Sequence, residues 1–279
     1  MRVHNRATGS NKYLLIILST LISICLTTSP QKCYYNKGNF TTNSTYEINR
    51  NIILSSLASN ITANGGFYNG TIGQDPDKVY ARAVCRGDTS LESCAACISS
   101  ATPDIMSHCP NQKEALSWGS QDSPCFVRYS NSSFFGILEL EPESILFNTG
   151  KIPTYLTQFN ETWESLMDRT VVKASAGSSR LKFATESVDL TSFQKIYALM
   201  QCTPDISQSD CDFCLRQSVA DYQNCCRLNQ GGIVRRPTCI FRWEMYPFYN
   251  YSADAPSLSP PTATVVPPSS PPRTVGILD

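Results

Sequence analysis

The sequence predicts two tandem α+β domains stapled by disulfides, and three observations carry that reading. Cys85, Cys94, Cys97 and Cys109 stand at C-x8-C-x2-C-x11-C, and Cys202, Cys211, Cys214 and Cys226 repeat the spacing. A closing cysteine follows each set, Cys125 and Cys239. The flanks repeat as well: Tyr80-Ala81 and Tyr197-Ala198 precede the first cysteines, and Cys125-Phe-Val-Arg128-Tyr129 matches Cys239-Ile-Phe-Arg242-Trp243. An internal period of this kind marks duplication of a whole folding unit. Finally, the chain opens like an exported protein, which places its cysteines where disulfides form and persist.

The first 29 residues hold Arg2, Arg6 and Lys12, no acid, and the apolar run Tyr13–Leu26 followed by Thr27, Thr28 and Ser29. Basic start, short apolar stretch and small residues make a signal peptide over residues 1–29, cleaved between 26 and 31. The run is shorter than the roughly 18–20 residues a bilayer span needs. Cys25 lies within it, which leaves twelve of the 13 cysteines for the mature chain. Seven Asn-x-Ser/Thr sites, Asn39, Asn43, Asn60, Asn69, Asn131, Asn160 and Asn250, are glycosylation candidates in an exported chain.

The elements follow in order. Ser44-x-x-Glu47 reads as a capping box ahead of Ile53, Leu57 and Ile61 at helical spacing. Gly65-Gly66 reads as a turn and Val79–Val84 as a strand. Thr89-x-x-Glu92 starts a second helix that carries Cys94 and Cys97. Strands are predicted over Ser123–Ser130 and Phe134–Leu140, closing a first domain at residues 30–136, and residues 137–152, with Pro142 and Gly150, read as a linker. The second domain, 153–250, opens with a helix whose stripe is Phe159, Trp163, Leu166, Met167 and Val171. Strand Lys195–Met200, a helix capped by Ser207-x-x-Asp210, a turn at Gly231-Gly232 and strand Thr238–Tyr246 complete it. Residues 251–279 hold seven prolines among Ser, Thr and Ala and almost no charge, which predicts an extended Pro/Ser-rich tail. No hydrophobic stretch follows, so no C-terminal membrane anchor is expected.

The composition excludes several classes. Outside the first 29 residues, 20 basic residues face 23 acidic ones, so nothing electrostatic favours nucleic acid or an anionic membrane. His108 is the single histidine after the signal peptide and stands directly before Cys109, a poor position for a general base serving a nucleophile. The C-x2-C pairs suggest zinc or thiol redox chemistry only in isolation. Export and the cysteine eight residues upstream favour structural disulfides. The chain is read as no enzyme, with no cofactor and no metal.

These residues resemble a known family. Cys85-x8-Cys94-x2-Cys97 and its repeat are similar to the signature of the plant ginkbilobin-homologous, or stress-antifungal, domain. Asn43-Ser-Thr-Tyr46, Cys225-Cys226 and Cys239-Ile-Phe-Arg242-Trp243-Glu244-Met-Tyr-Pro-Phe248-Tyr249 carry the same resemblance. The match spans roughly residues 31–250. Such pairs occur in cysteine-rich repeat secretory proteins and in ectodomains of cysteine-rich receptor-like kinases. The resemblance implies an antiparallel sheet of about five strands on two helices in each domain. It also implies the pairs Cys33–Cys109, Cys85–Cys94, Cys97–Cys125, Cys202–Cys211 and Cys214–Cys239. The second copy has no match for Cys33, which leaves Cys225 and Cys226 either to bond to each other or to reach elsewhere.

Single-domain antifungal relatives bind mannose through an Asn, an Arg and a Glu. In this sequence those positions hold Tyr34, Gly119 and Ser130 in the first copy, and Ile233 and Glu244 in the second, with Arg235 and Arg236 displaced nearby. Only Glu244 is retained, and it could equally be a structural partner of Arg242. The resemblance therefore implies a secreted, apoplastic recognition module active in stress or defence. Its partner would be a receptor ectodomain, a microbial protein or a cell-wall carbohydrate. A carbohydrate-binding lectin using Glu244, or the truncated ectodomain of a receptor-like kinase, are the alternatives.

Overall fold

The computed structural model describes residues 30–153 and 158–249. The expected signal peptide 1–29, the expected tail 251–279 and Asn250 lie outside the described residues. The first domain runs β1 (Gln31–Cys33), α1 (Thr45–Ala63), β2 (Phe67–Ile72), β3 (Val79–Cys85), α2 (Leu91–His108), β4 (Ala115–Ser117) and β5 (Cys125–Ser130). The second runs β6 (Ser144–Phe147), α3 (Phe159–Ser175), β7 (Lys182–Asp189), β8 (Lys195–Cys202), α4 (Gln208–Cys226), β9 (Gly231–Arg235) and β10 (Cys239–Glu244). Each makes a five-stranded antiparallel sheet, ordered β1-β4-β5-β3-β2 and β6-β9-β10-β8-β7, so the duplication extends to topology.

Each helix pair covers one sheet face because its apolar residues recur every three to four positions. From α1, Ile53, Leu57 and Ile61 meet Ala81, Ala83 and Val127 of the sheet in one buried cluster. From α3, Trp163, Leu166 and Met167 meet Ala198, Phe241 and Trp243 in the other. Ser44 caps α1 by accepting from the Glu47 N–H at 3.3 Å, while the Glu47 carboxylate accepts from the Asn43 N–H at 2.6 Å. Ser207 caps α4 through the Asp210 N–H at 3.0 Å. The cap of α2 is Ser90, one residue later than expected, because its hydroxyl reaches the Ser93 N–H at 3.1 Å.

Three other expectations are corrected. Phe134–Leu140 forms no strand: Gly136 takes φ 69°, and the buried Phe134 ring lies against the guanidinium groups of Arg128 and Arg82 at 4.2 and 5.0 Å rather than in a ladder. The segment 137–152 is not only a linker, since β6 pairs with β9 as an edge strand of the second sheet. Gly231 and Gly232 lie in β9, not in a turn. A Cβ on Gly231 would strike the Glu244 carboxylate, and one on Gly232 the Tyr222 ring.

The sulfur bridges are Cys33–Cys109, Cys85–Cys94, Cys97–Cys125, Cys202–Cys211, Cys214–Cys239 and Cys225–Cys226. The first ties the edge strand β1 to the end of α2. The C-x2-C cysteines sit one turn apart on their helices and bond to two different strands, so each helix is fastened to its sheet twice.

Candidate functional site at the joint between the two domains

A two-layer domain should present polar residues on the sheet face away from its helices. The first domain does not. Val84, Leu116, Trp118 and Phe126 point away from the helices and are nonetheless buried in a cluster of their own. The second domain covers them, so the two sheets meet through their outer faces.

Polar side chains hold this joint. The Arg82 guanidinium of β3 is wholly buried and paired with Asp205, which follows β8. The same carboxylate oxygen accepts from the Gly136 N–H at 2.8 Å and the Asn69 amide at 3.2 Å. Burial pushes Arg82 down to about 10, with Asp205 opposing the shift. The Gln201 amide of β8 accepts from the Gly87 N–H at 3.0 Å and donates to the Cys85 carbonyl at 2.8 Å. Arg242 of β10 reaches Asp122 at 3.0 Å, and the Arg235 guanidinium lies 5.0 Å from the Trp118 ring centre. Thr238 donates to the Glu139 carbonyl at 2.8 Å, tying the connecting segment to the second sheet.

Between these contacts lies an open cleft with about 50 Å³ of free volume, with Val84, Trp118 and Phe126 on one wall and Gln201, Thr203 and Ile240 on the other. Trp118 Nε1 and Thr203 Oγ1 are buried and have no hydrogen-bond partner among the described residues. A larger open groove of about 290 Å³ runs between α3 and α4 over Trp163, Met167 and Val171, crossed by the 2.7 Å ion pair of Arg216 with Asp168.

The sequence-predicted site residues fall as follows. Glu244 is 6% exposed, and its Oε1 accepts from Arg242 at 3.3 Å. Its Oε2 is buried without a hydrogen-bond partner, and this burial raises its pKa above the usual carboxylate value despite Arg242. Tyr34 is half-buried over the Arg128 guanidinium at 5.6 Å, and Ser130 donates to Glu114 at 2.9 Å. Arg128 itself is held by Glu114 at 2.5 Å and by Glu139. Tyr34 and Ser130 thus belong to a self-paired cluster around Arg128 and Glu114, whereas Gly119, at φ 72°, lies against the Cys97–Cys125 bridge. Glu244 stands apart from Arg236, which is engaged by Asp221 and Glu143. His108 is exposed, its Nδ1 2.8 Å from the Asp104 carbonyl at the end of α2. Among the described residues no three His, Cys, Asp or Glu side chains group to hold a metal.

Of the glycosylation candidates, Asn39, Asn43 and Asn160 are exposed, while Asn60 and Asn131 are half-buried. Asn69 differs from these in its surroundings. Its Nδ2 donates to Asp205 and its Oδ1 accepts from Arg82 at 3.0 Å, so a glycan there would stand inside the joint.

Arg82, Asp205, Gln201 and Trp118 were not singled out from sequence. The available signal was the outward face of the central strands: Val84 and Phe126 are apolar at positions that alternate with core residues, which marks a covered face.

Residues 32–132 and 147–246 each match the family model described as salt stress response/antifungal. Cysteine-rich receptor-like protein kinase 11 of Arabidopsis thaliana is 44% identical over 257 residues, which cover 90% of this chain and 38% of that protein. Another protein of the same plant bearing the cysteine-rich receptor-like protein kinase name is 42% identical over 251 residues, covering 87% of this chain and 92% of its own length. The chain thus spans under half of the first of these and nearly all of the second. The crystal structure of the tandem DUF26 ectodomain from the Arabidopsis thaliana cysteine-rich receptor-like protein PDLP8 has the same fold. Its TM-score is 0.67 at 22% identity, and the likeness covers 78% of this chain and 97% of that one. Two matched segments, a shared tandem fold and this degree of identity lead to one statement: the chain belongs to the salt stress response/antifungal family and carries that family's domain twice in tandem.

Proposed function

We propose that the chain works outside the cell as a non-catalytic recognition module in plant stress or defence responses. The observation that carries this reading is the joint. Two disulfide-stapled domains held by the buried Arg82–Asp205 pair and the Gln201 bridge present their remaining surfaces in one fixed arrangement. A fixed arrangement lowers the ordering cost of binding a large partner across both domains. The relatives supply the setting, since the PDLP8 structure is described as an ectodomain. The partner is a receptor ectodomain, a microbial protein or a cell-wall carbohydrate. Capture from plant cell-wall fluid on the immobilised tandem tests the reading. One saturable partner, lost when Asp205→Ala loosens the joint, supports it; a chain that captures nothing saturably overturns it.

A second reading, the ectodomain portion of a receptor-like kinase, is favoured by the 44% identity to a protein of which the chain covers 38%. Sequencing the 3′ end of the transcript decides it: an in-frame apolar stretch of about 20 residues supports the kinase reading. The lectin reading has less support, because Glu244 is closed off by Arg242 and the backbone at Gly231. A glycan array separates it, since saturable mannose binding abolished by Glu244→Ala would restore it.

A further inference from the structure

We infer that the open groove between α3 and α4 seats the N-linked glycan of Asn160. The helical face of the second domain is then a glycan-covered surface rather than one offered to a protein partner. The inference rests on the extracellular reading, because such a glycan is acquired on export, and it goes further by giving the glycan a fixed place.

Asn160 is exposed in the first turn of α3, and Thr162 completes its acceptor sequence. It shares a depression with Trp163 and Glu164, one turn along the same face, and with Gln223 and Arg227 at the end of α4. The groove of about 290 Å³ takes up from the same Trp163, Glu164 and Gln223 and continues past Met167 and Asp168 to Val171. From Asn160 to Val171 the helix advances about 16 Å. A sugar chain attached at Asn160 therefore starts at one end of a trough and has its length to lie in.

The trough exists because α4 faces it with short side chains, Val219 and Ala220, above a floor of buried Met167 and Val171. Its rim is polar and divided. At the far end Arg216 is held by Asp168 at 2.7 Å and by Asp212 at 2.8 Å. At the Asn160 end Glu164, Gln223 and Arg227 have no hydrogen-bond or ion-pair partner among the described residues. Between them these three offer donors and acceptors to a sugar, whose own hydroxyls and acetamide groups are both. An apolar floor with a few convergent polar groups is the lining a saccharide ring uses, since its C–H faces and its hydroxyls need different partners. The covalent tether supplies the rest: a group held by a short flexible link meets its site at an effective concentration on the order of millimolar, so weak contacts suffice.

The test uses the full chain made in a plant secretory system with high-mannose glycans, treated with an endoglycosidase that cuts within the chitobiose core. Mass spectrometry of peptides follows release site by site. In the native protein, release from Asn160 should be roughly tenfold slower than from the exposed Asn39 and Asn43, and equal to theirs after reduction and denaturation. Ala220→Leu, which fills the groove without touching the acceptor sequence, should bring release at Asn160 close to the rate at Asn39 and Asn43. A slow rate set only by the helical position of Asn160 would not respond. If that variant does not fold, Gln223→Ala serves instead and should speed release several-fold. Occupied Asn39 and Asn43 beside a bare Asn160, equal native release at the three sites, or slow release at Asn160 that the folded variant leaves unchanged would overturn this inference alone. Absence of glycan from all three would overturn the extracellular reading along with it.

Discussion

Arg82 of the first domain has its guanidinium paired with Asp205 of the second, and no part of the Arg82 side chain reaches solvent. In the repeat, the position of Arg82 is held in the second domain by Leu199, three residues before Cys202 as Arg82 is before Cys85. The duplication therefore diverged where the two sheets touch. Removing one member of a buried pair leaves the other charged and uncompensated, whereas replacing both by apolar groups is far milder. Asp205→Ala is expected to lower stability by roughly 3 kcal/mol. Arg82→Leu combined with Asp205→Ala should recover most of that loss. Urea unfolding of the three proteins reads the difference, and equal stability of the single and double variants would contradict a joint organised around this pair.

Glu244 predicts a pH dependence. Burial raises its pKa in the folded chain above that of the unfolded chain, so between the two values the folded state binds the extra proton. Its contribution to stability is greatest below the unfolded value and declines as pH rises through the raised one. Glu244→Gln, neutral throughout, should flatten that part of the stability profile and cost little at pH 7. A variant whose profile keeps the wild-type slope in this range would show that the carboxylate is better solvated than its burial implies.

The two unequal sulfur frameworks can be tested by exchange. Cys33 in β1 stands opposite Ala115, and Phe147 in β6 stands opposite Gly232. Leu116 and Ile233 face the equivalent residues Arg128 and Arg242, which makes Phe147 the counterpart of Cys33. Cys226 is the counterpart of Cys109 by spacing, and its neighbour Cys225 supplies the partner that β6 lacks. Phe147→Cys combined with Cys225→Ser should form a 147–226 bridge, found by mass spectrometry of unreduced peptides. It should be about 2–5 kcal/mol more stable than Cys225→Ser alone. Two free thiols at 147 and 226 would refute the equivalence.

Glycan mapping tests the joint from another side. Asn39, Asn43 and Asn160 are exposed and should carry glycan when the protein is made in a plant secretory system. Asn69, whose amide is engaged by Arg82 and Asp205, should be bare in the folded fraction. Substantial occupancy of Asn69 there would contradict the joint.

The elements most legible in the sequence were those with a strong local signal. Ser44 and Ser207 announce their helices because a hydroxyl and an acid three residues on satisfy free N–H groups. The apolar stripes of α1 and α3 were legible because burial on one side imposes helical spacing. β1 and β4 are three residues each, too short to show alternation, and β2 holds Asn69-Gly70 at its centre, which reads as a turn. Phe134–Leu140 was misread because Phe134 and Phe135 pack against Arg82 and Arg128, and Leu138 and Leu140 against the core of the second domain, rather than in a ladder. The joint itself was hidden because Asp205 and Arg82 are far apart in the chain and look, separately, like ordinary surface charges.

The most direct measurement concerns one amide. The Gly87 N–H of the first domain donates to the Gln201 side chain of the second at 3.0 Å, so its protection from exchange depends on the domains being docked. Hydrogen exchange followed by NMR should find Gly87 protected in the native chain and at least tenfold faster in Gln201→Ala, with the core amides of both sheets unchanged. A Gly87 amide that exchanges at the unprotected rate in the native chain would contradict the docked arrangement on which the proposed recognition surface stands.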